Sequence, residues 1–177
     1  MIMRSALRKF VLTIHVTSSV GSLGAVTVFL VLGIVGLASQ DAQLVRAAYR
    51  TMELIAWFVI IPLVLGSLLS GLVQSLGTSW GLFRYWWILA KLLLTAVAVV
   101  VLMLQMNLIS DVAQIAAKVT ISYADFRAAR ISLVLPHASG GLVVLIVAAA
   151  LSVYKPQGMN RYGWRKRHDR ESMRGSS

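Results

Sequence analysis

Residues 85–106 read YWWILAKLLLTAVAVVVLMLQM, a run of 22 positions in which Lys91 is the only charged residue. An α-helix rises about 1.5 Å per residue, so a helix of this length crosses a bilayer core about 30 Å thick. The run lacks the alternation of polar and apolar residues that a β-barrel strand would show. We therefore predict that residues 85–106 form a transmembrane α-helix.

Three more apolar runs occur, at residues 10–37, 54–74 and 131–154. Of 17 Lys and Arg and 6 Asp and Glu, only Lys91 falls inside any of the four runs. The first run exceeds the apolar core of a signal peptide, which has about 7–15 residues, so we expect it to be retained. The fold class predicted is all-α: an integral membrane four-helix bundle over residues 1–155, followed by a tail over residues 156–177.

Lysine and arginine are distributed unevenly around the runs. With four spans, one side of the membrane holds the N-terminal segment, the connection between the second and third runs, and the tail. This side has eleven of these residues, against five on the other side. The positive-inside rule places both termini in the cytoplasm. Apart from Lys91, the charges that give the net +11 thus lie outside the spans, and nucleic acid is not a predicted partner. The basic tail is typical of a disordered arm that contacts anionic lipids or sets the topology.

The chain lacks the residues that several kinds of chemistry require. The chain has no cysteine, which excludes disulfides, thiolate metal sites and thiol nucleophiles. It also lacks HExxH, P-loop and GxSxG motifs, so metalloprotease, nucleotide-driven and serine-hydrolase activities have no support.

The connections carry helix-start signals. Ser39 and Asp41 are predicted to cap a helix that continues into the second span, and Ser122 with Asp125 resembles a capping box that would start the fourth helix near Tyr123. Residues 110–119 are predicted to lie on the outer surface. Breaks are expected at Pro62 and Pro136. Rows of small residues predict close helix packing at Thr17, Gly21 and Ala25, at Gly66 with Ser70, and at Ser67 with Gly71.

The polar residues at membrane depth are the candidates for a site, because an ionisable group inside a bilayer is costly. At 1.5 Å per residue, His15 lies ~7 Å into the first span and Lys91 ~9 Å into the third, so they are level. If these helices face each other, the imidazole and the amine meet near the inner surface, with Ser67, Ser70 and Gln74 as lining residues. Alternatively, Lys91 snorkels to the headgroups and His15 bonds a neighbouring hydroxyl or carbonyl.

His137 is predicted to lie ~18 Å from His15 along the membrane normal, too far for both to ligate one haem iron. The methionines near its level, Met52, Met103 and Met106, would complete a copper site, because thioether and imidazole ligands suit Cu(I). Methionine is also ordinary core filler.

Two stretches, KFVLTIHVTSSVGSLGA at residues 9–25 and IPLVLGSLLSGLVQSLGTSWGLFRYWWILAKLLLT at residues 61–95, carry a resemblance. They resemble a family of uncharacterised small bacterial four-helix membrane proteins, which implies a bacterial plasma membrane. More distantly, His15 with Trp87 and Lys91 is similar to the four-helix membrane protoporphyrinogen oxidases, and the first helix to copper-resistance membrane proteins. The oxidase resemblance implies haem b and essential roles for His15 and Lys91, although Gln105 stands where those oxidases have a histidine.

Three functional hypotheses follow. The first is a multi-pass membrane protein that binds haem or a small apolar cofactor near the cytoplasmic face through His15 and Lys91. The second is a non-catalytic membrane scaffold or accessory subunit, in which these residues serve packing. The third is a copper-handling membrane transporter that uses His137 and the three methionines.

Overall fold

The computed structural model describes residues 3–77, 86–117 and 131–154, which are helical throughout apart from short connections and contain no β-strand. The helices are α1 (Ser5–Ala38), α2 (Ala42–Ile55), α3 (Ile61–Gly77), α4 (Trp86–Ala117) and α5 (Ile131–Tyr154). A π-helical turn, Ala56–Ile60, joins α2 to α3. The described chain thus forms four long rods, α1, α2–α3, α4 and α5, at the four predicted runs.

Each rod is long and apolar enough to cross a membrane. Large apolar side chains also cover the outside of the bundle: Phe58 is 75% exposed, Leu93 67% and Leu104 72%. Helices that are apolar on their outer face as well as their inner face are typical of proteins surrounded by lipid. The number, type and apolar character of the predicted spans are therefore confirmed, while the membrane side on which each terminus lies stays a prediction.

The rods pack around a common axis. Among the described residues, α1 packs against α2, α3 and α5, and α4 packs against the same three helices. α1 and α4 therefore occupy opposite corners of the bundle. Side chains from these two helices can meet only across its axis.

The second rod begins at the predicted cap. Asp41 accepts a hydrogen bond from the Gln43 N–H at 2.8 Å, which satisfies one of the unpaired donors at the helix start. The break expected at Pro62 is absent. Instead the Ile61 N–H donates to the Ala56 carbonyl five residues back, and this π turn adjusts the backbone just ahead of the proline so that the rod continues.

The apolar core lies toward the α2 end of the bundle. Met52, Ala56 and Met106 are buried there, together with Val112 of α4. Residues 110–117 of the stretch predicted to lie on the outer surface continue α4 as far as Ala117, and their position relative to the membrane stays a prediction. This extension of α4 packs against α2.

Two predictions concern parts of the chain outside the described residues. These are the start of the fourth helix near Tyr123 and the tail at residues 156–177. The helix that contains Pro136 is described from Ile131 onward and runs through the proline to Tyr154.

Candidate functional site

Small residues bring α1 and α3 close together at the level of His15. A Cβ atom added to Gly71 would lie 3.1 Å from His15 Cε1, so the imidazole packs directly against the α3 backbone. Ser19 Oγ and Ser67 Oγ form a 2.7 Å hydrogen bond across the same contact. Short side chains and close backbones are the usual basis of helix association in lipid.

The packing row on α1 differs from the predicted one. Thr17 is exposed, and its neighbour Ser18 faces α3 instead, with its Oγ 3.1 Å from where a Cβ on Gly66 would lie. Gly21 keeps its predicted role and packs against the Leu63 side chain. The predicted glycines of α3 therefore lie at the contact with α1. The predicted row on α1 is wrong at Thr17, which lies on the adjacent face of the helix.

The hydrogen bonds of His15 fix its tautomer. Its Nδ1 lies 2.9 Å from the Ser67 carbonyl oxygen and 3.2 Å from Ser70 Oγ. A carbonyl can only accept, so Nδ1 carries the proton. Ser70 donates its own hydroxyl proton to the Gly66 carbonyl and is thus free to accept from Nδ1. The Nε2 of His15 is therefore a lone-pair acceptor that points away from α3.

Lys91 reaches this acceptor from across the bundle. Its Nζ lies 3.1 Å from His15 Nε2 and 2.6 Å from Ser152 Oγ of α5. Ser152 donates its proton to the Ala148 carbonyl at 2.9 Å, so its oxygen accepts from Lys91. The prediction that His15 and Lys91 are neighbours is confirmed, and Lys91 lies inside the bundle instead of snorkelling away from His15.

We call this group the polar centre: His15, Ser67, Ser70, Lys91 and Ser152. Each of the four rods contributes to it. Ser152 was not predicted: it lies two residues, or ~3 Å, before the C-terminal end of α5, whereas His15 and Lys91 were placed ~7 and ~9 Å into their spans, so depth did not mark it as level with them. Serine is common in membrane helices, where its hydroxyl bonds a carbonyl of its own helix, so a serine in the sequence does not by itself indicate a site.

Gln74 was predicted as a lining residue. Its Nε2 donates to the Val11 carbonyl at 3.1 Å, which lies one turn of α1 away from His15. Gln74 thus ties α3 to α1 beside the polar centre. Its role as a lining residue stays a prediction.

No acidic side chain bonds the Lys91 amine among the residues that the structure describes. Both hydrogen-bond partners of Lys91 are neutral. The acidic residues of the described ranges are Asp41, Glu53 and Asp111, which lie toward the opposite end of the rods. Glu53 precedes Ser67 by 14 residues, or ~21 Å along the helix.

The copper candidates lie in different surroundings. Met52 and Met106 are 2% and 3% exposed within the apolar core, Met103 is 39% exposed, and His137 is exposed on α5. Within residues 3–77, 86–117 and 131–154, no three His, Asp or Glu residues are grouped to hold a metal ion. The copper site, which includes three methionines, stays a prediction.

Comparison with protein-family models, curated proteins and solved structures found no match to this chain. The resemblances noted from the sequence therefore stay predictions, and the function is inferred from the geometry of the polar centre.

Proposed function

We propose that this chain is a multi-pass membrane protein that holds the polar end of a small apolar cofactor at the polar centre. The observation that carries the proposal is Lys91, an ionisable group inside a span whose hydrogen-bond partners among the described residues are both neutral. Ionisable residues at membrane depth commonly mark binding sites, ion paths or proton relays. The positive-inside rule assigns this end of the bundle to the cytoplasmic face.

The chemistry of Lys91 indicates what such a cofactor would carry. A protonated lysine has three N–H donors, and two of them are directed at His15 and Ser152. The third is available to a ligand. Because no acidic residue bonds Lys91 among the described residues, a carboxylate, phosphate or carbonyl oxygen would complement both its charge and its remaining donor.

Haem b is the cofactor implied by the oxidase resemblance, and the residues present do not fit its iron. A histidine ligates iron through a ring nitrogen with an unshared lone pair. In His15, Nδ1 carries the proton bonded to Ser67, and Nε2 accepts from Lys91. Neither nitrogen is available, so the proposal is limited to a cofactor held through Lys91.

The test is to purify the wild type, Lys91→Met and Lys9→Met in mild detergent and to identify the apolar compounds each retains by solvent extraction and mass spectrometry. Lys9→Met is the matched control, because Lys9 is exposed ahead of the first span. We expect a compound with an acceptor group, at about one per chain, in the wild type and the control and its loss in Lys91→Met. No Soret band is expected in any of the three.

Identical compounds in the wild type and a folded Lys91→Met would overturn the proposal. A Soret band that is lost in His15→Ala would instead show that His15 Nε2 ligates a haem iron and does not accept a hydrogen bond from Lys91.

One observation favours the scaffold alternative. The polar centre links all four rods through hydrogen bonds, which would serve packing even without a ligand. In that case Lys91→Met would lower the unfolding temperature of the detergent-solubilised protein and leave its retained compounds unchanged. The two measurements together separate the two functions.

A further inference from the structure

A cavity of about 420 Å³ lies between α4 and α5 and begins about one helical turn along α4 from the polar centre. Its volume falls within the range of about 300–1,000 Å³ found for small-molecule sites. The floor is apolar and comes from α1 and the second rod, at Val26, Phe29, Ile60 and Val64. No member of the polar centre lines it, and its nearest wall residue on α4, Leu94, follows Lys91 by three positions.

The cavity opens between α4 and α5 toward the outside of the bundle. Val97 and Val101 of α4 line it and are 52% and 37% exposed, and Gly140 of α5 is also an exposed wall residue. Apart from the exposed His137, which also lines the cavity, the exposed wall residues have no polar side chain, so a molecule dissolved in lipid can enter sideways without crossing water.

Two adjacent glycines keep the α5 wall open. A Cβ atom added to Gly140 or Gly141 would meet nothing within 4 Å, whereas one added to Gly36 or Gly71 would press on a neighbouring ring. Glycine costs about 1 kcal/mol relative to alanine inside a helix. Gly36 of α1 and Gly71 of α3 offset this cost because they allow close helix contact. The pair on α5 makes no such contact and leaves space.

The cavity wall contains a polar atom that requires a partner. Gln105 Oε1 is buried and accepts no hydrogen bond from the described residues. A buried acceptor without a donor is destabilising, and more so where lipid replaces water. The acyl chain of a phospholipid carries no N–H or O–H, so an acyl chain alone in the cavity leaves Gln105 unsatisfied.

We propose that this cavity binds a lipid-soluble molecule with an apolar body and a hydroxyl group, a phenol or an alcohol, whose O–H donates to Gln105 Oε1. The apolar floor takes the body of the molecule, the glycine pair admits it, and Gln105 selects the hydroxyl. This site is separate from the polar centre and does not depend on the function proposed for Lys91.

The test uses para-nonylphenol and its methyl ether, in which a methyl group replaces the hydrogen of the donor, and dodecanol as an aliphatic alcohol. Probe retained by nanodiscs that hold the full chain is measured against empty nanodiscs, which corrects for partition into lipid. We expect the phenol or the alcohol to bind about tenfold more tightly than the ether, the usual effect of leaving a buried polar group unpaired. Which of the two binds more tightly identifies a phenol or an alcohol as the ligand class.

Variants assign this binding to the cavity. Gln105→Met should remove the preference for the hydroxyl, and Gly141→Leu should abolish binding of every probe because its side chain fills the space. Gly24→Leu is the matched control, since Gly24 is also helical with nothing within 4 Å of an added Cβ but does not line the cavity. Gly140→Leu replaces Gly141→Leu if the latter does not fold. Lys91→Met should leave binding unchanged.

Equal retention of the phenol, the alcohol and the ether would overturn the proposal and show a cleft that takes acyl chains only. Binding that survives in folded Gly141→Leu or Gly140→Leu would overturn it as well.

Discussion

The hydrogen bonds of the polar centre depend on which atom of each pair carries the proton. An amine inside a span is costly unless each of its donors has an acceptor. The Ser67 carbonyl fixes the proton on His15 Nδ1, and this leaves Nε2 as an acceptor for Lys91. Ser152 provides the second acceptor because its own proton is held by Ala148. Neutral groups thus stabilise the amine without an ion pair.

The tautomer of His15 is a direct test at this scale. We expect ¹⁵N-labelled histidine in the detergent-solubilised protein to show one ring with protonated Nδ1 and unprotonated, hydrogen-bonded Nε2, a signal that His15→Ala removes. Lys91→Met should shift the Nε2 resonance of this ring and leave the other histidines unchanged. A ring protonated at Nε2 alone would contradict the hydrogen bonds described.

At the scale of the elements, glycine decides how closely α1 and α2 approach. A Cβ atom on Gly36 would lie 2.7 Å from two atoms of the Tyr49 ring, which is buried at 2% exposure. The ring occupies the position that a side chain would need. α1 and α2 can therefore pack with a large aromatic residue between them only because residue 36 has no side chain.

Substitution of this glycine should weaken the bundle. We expect Gly36→Ala to lower the free energy of unfolding in detergent by about 1–3 kcal/mol through overpacking. Gly24→Ala is the control, because its Cβ meets nothing, and the higher helix propensity of alanine should leave stability unchanged or raise it by up to about 1 kcal/mol. Equal effects of the two variants would refute the contact with Tyr49.

At the scale of the whole molecule, the start of the first rod lies beside the end of the second. The Met3 N–H donates to the Gly77 carbonyl at 3.1 Å, so the start of α1 and the end of α3 lie at the same end of the bundle. The polar centre is nearer to this end, and the apolar core with α2 is nearer to the other.

Reporter fusions test the orientation. We expect green fluorescent protein to fluoresce when fused after Ser177, and alkaline phosphatase to be active when inserted after Gln40 and inactive after Ser177. The reason is the excess of lysine and arginine on the side of the termini. Active alkaline phosphatase at Ser177 would place the tail outside and reverse or break the topology.

Depth is the part of the site that could be predicted from the chain, because helical rise converts residue number into height. This was enough to make His15 and Lys91 level, and the structure brings them to 3.1 Å. Rotation about the helix axis could not be predicted in the same way. The rods are apolar on nearly every face, so the periodicity that orients a helix in a soluble protein is weak here. Hence Thr17 was assigned to the packing face, and Ser152 was missed.

The sequence by itself determined the four rods and the cap at Asp41, because length, hydropathy and local hydrogen bonding are properties of neighbouring residues. It did not determine the end of α4, which continues past the predicted run to Ala117. Only the tertiary structure decided that α1 and α4 stand at opposite corners, that their polar side chains meet at the axis with Ser152, and that Gln105 faces a cavity. These depend on how each rod is rotated, which is set by contacts between residues far apart in the chain.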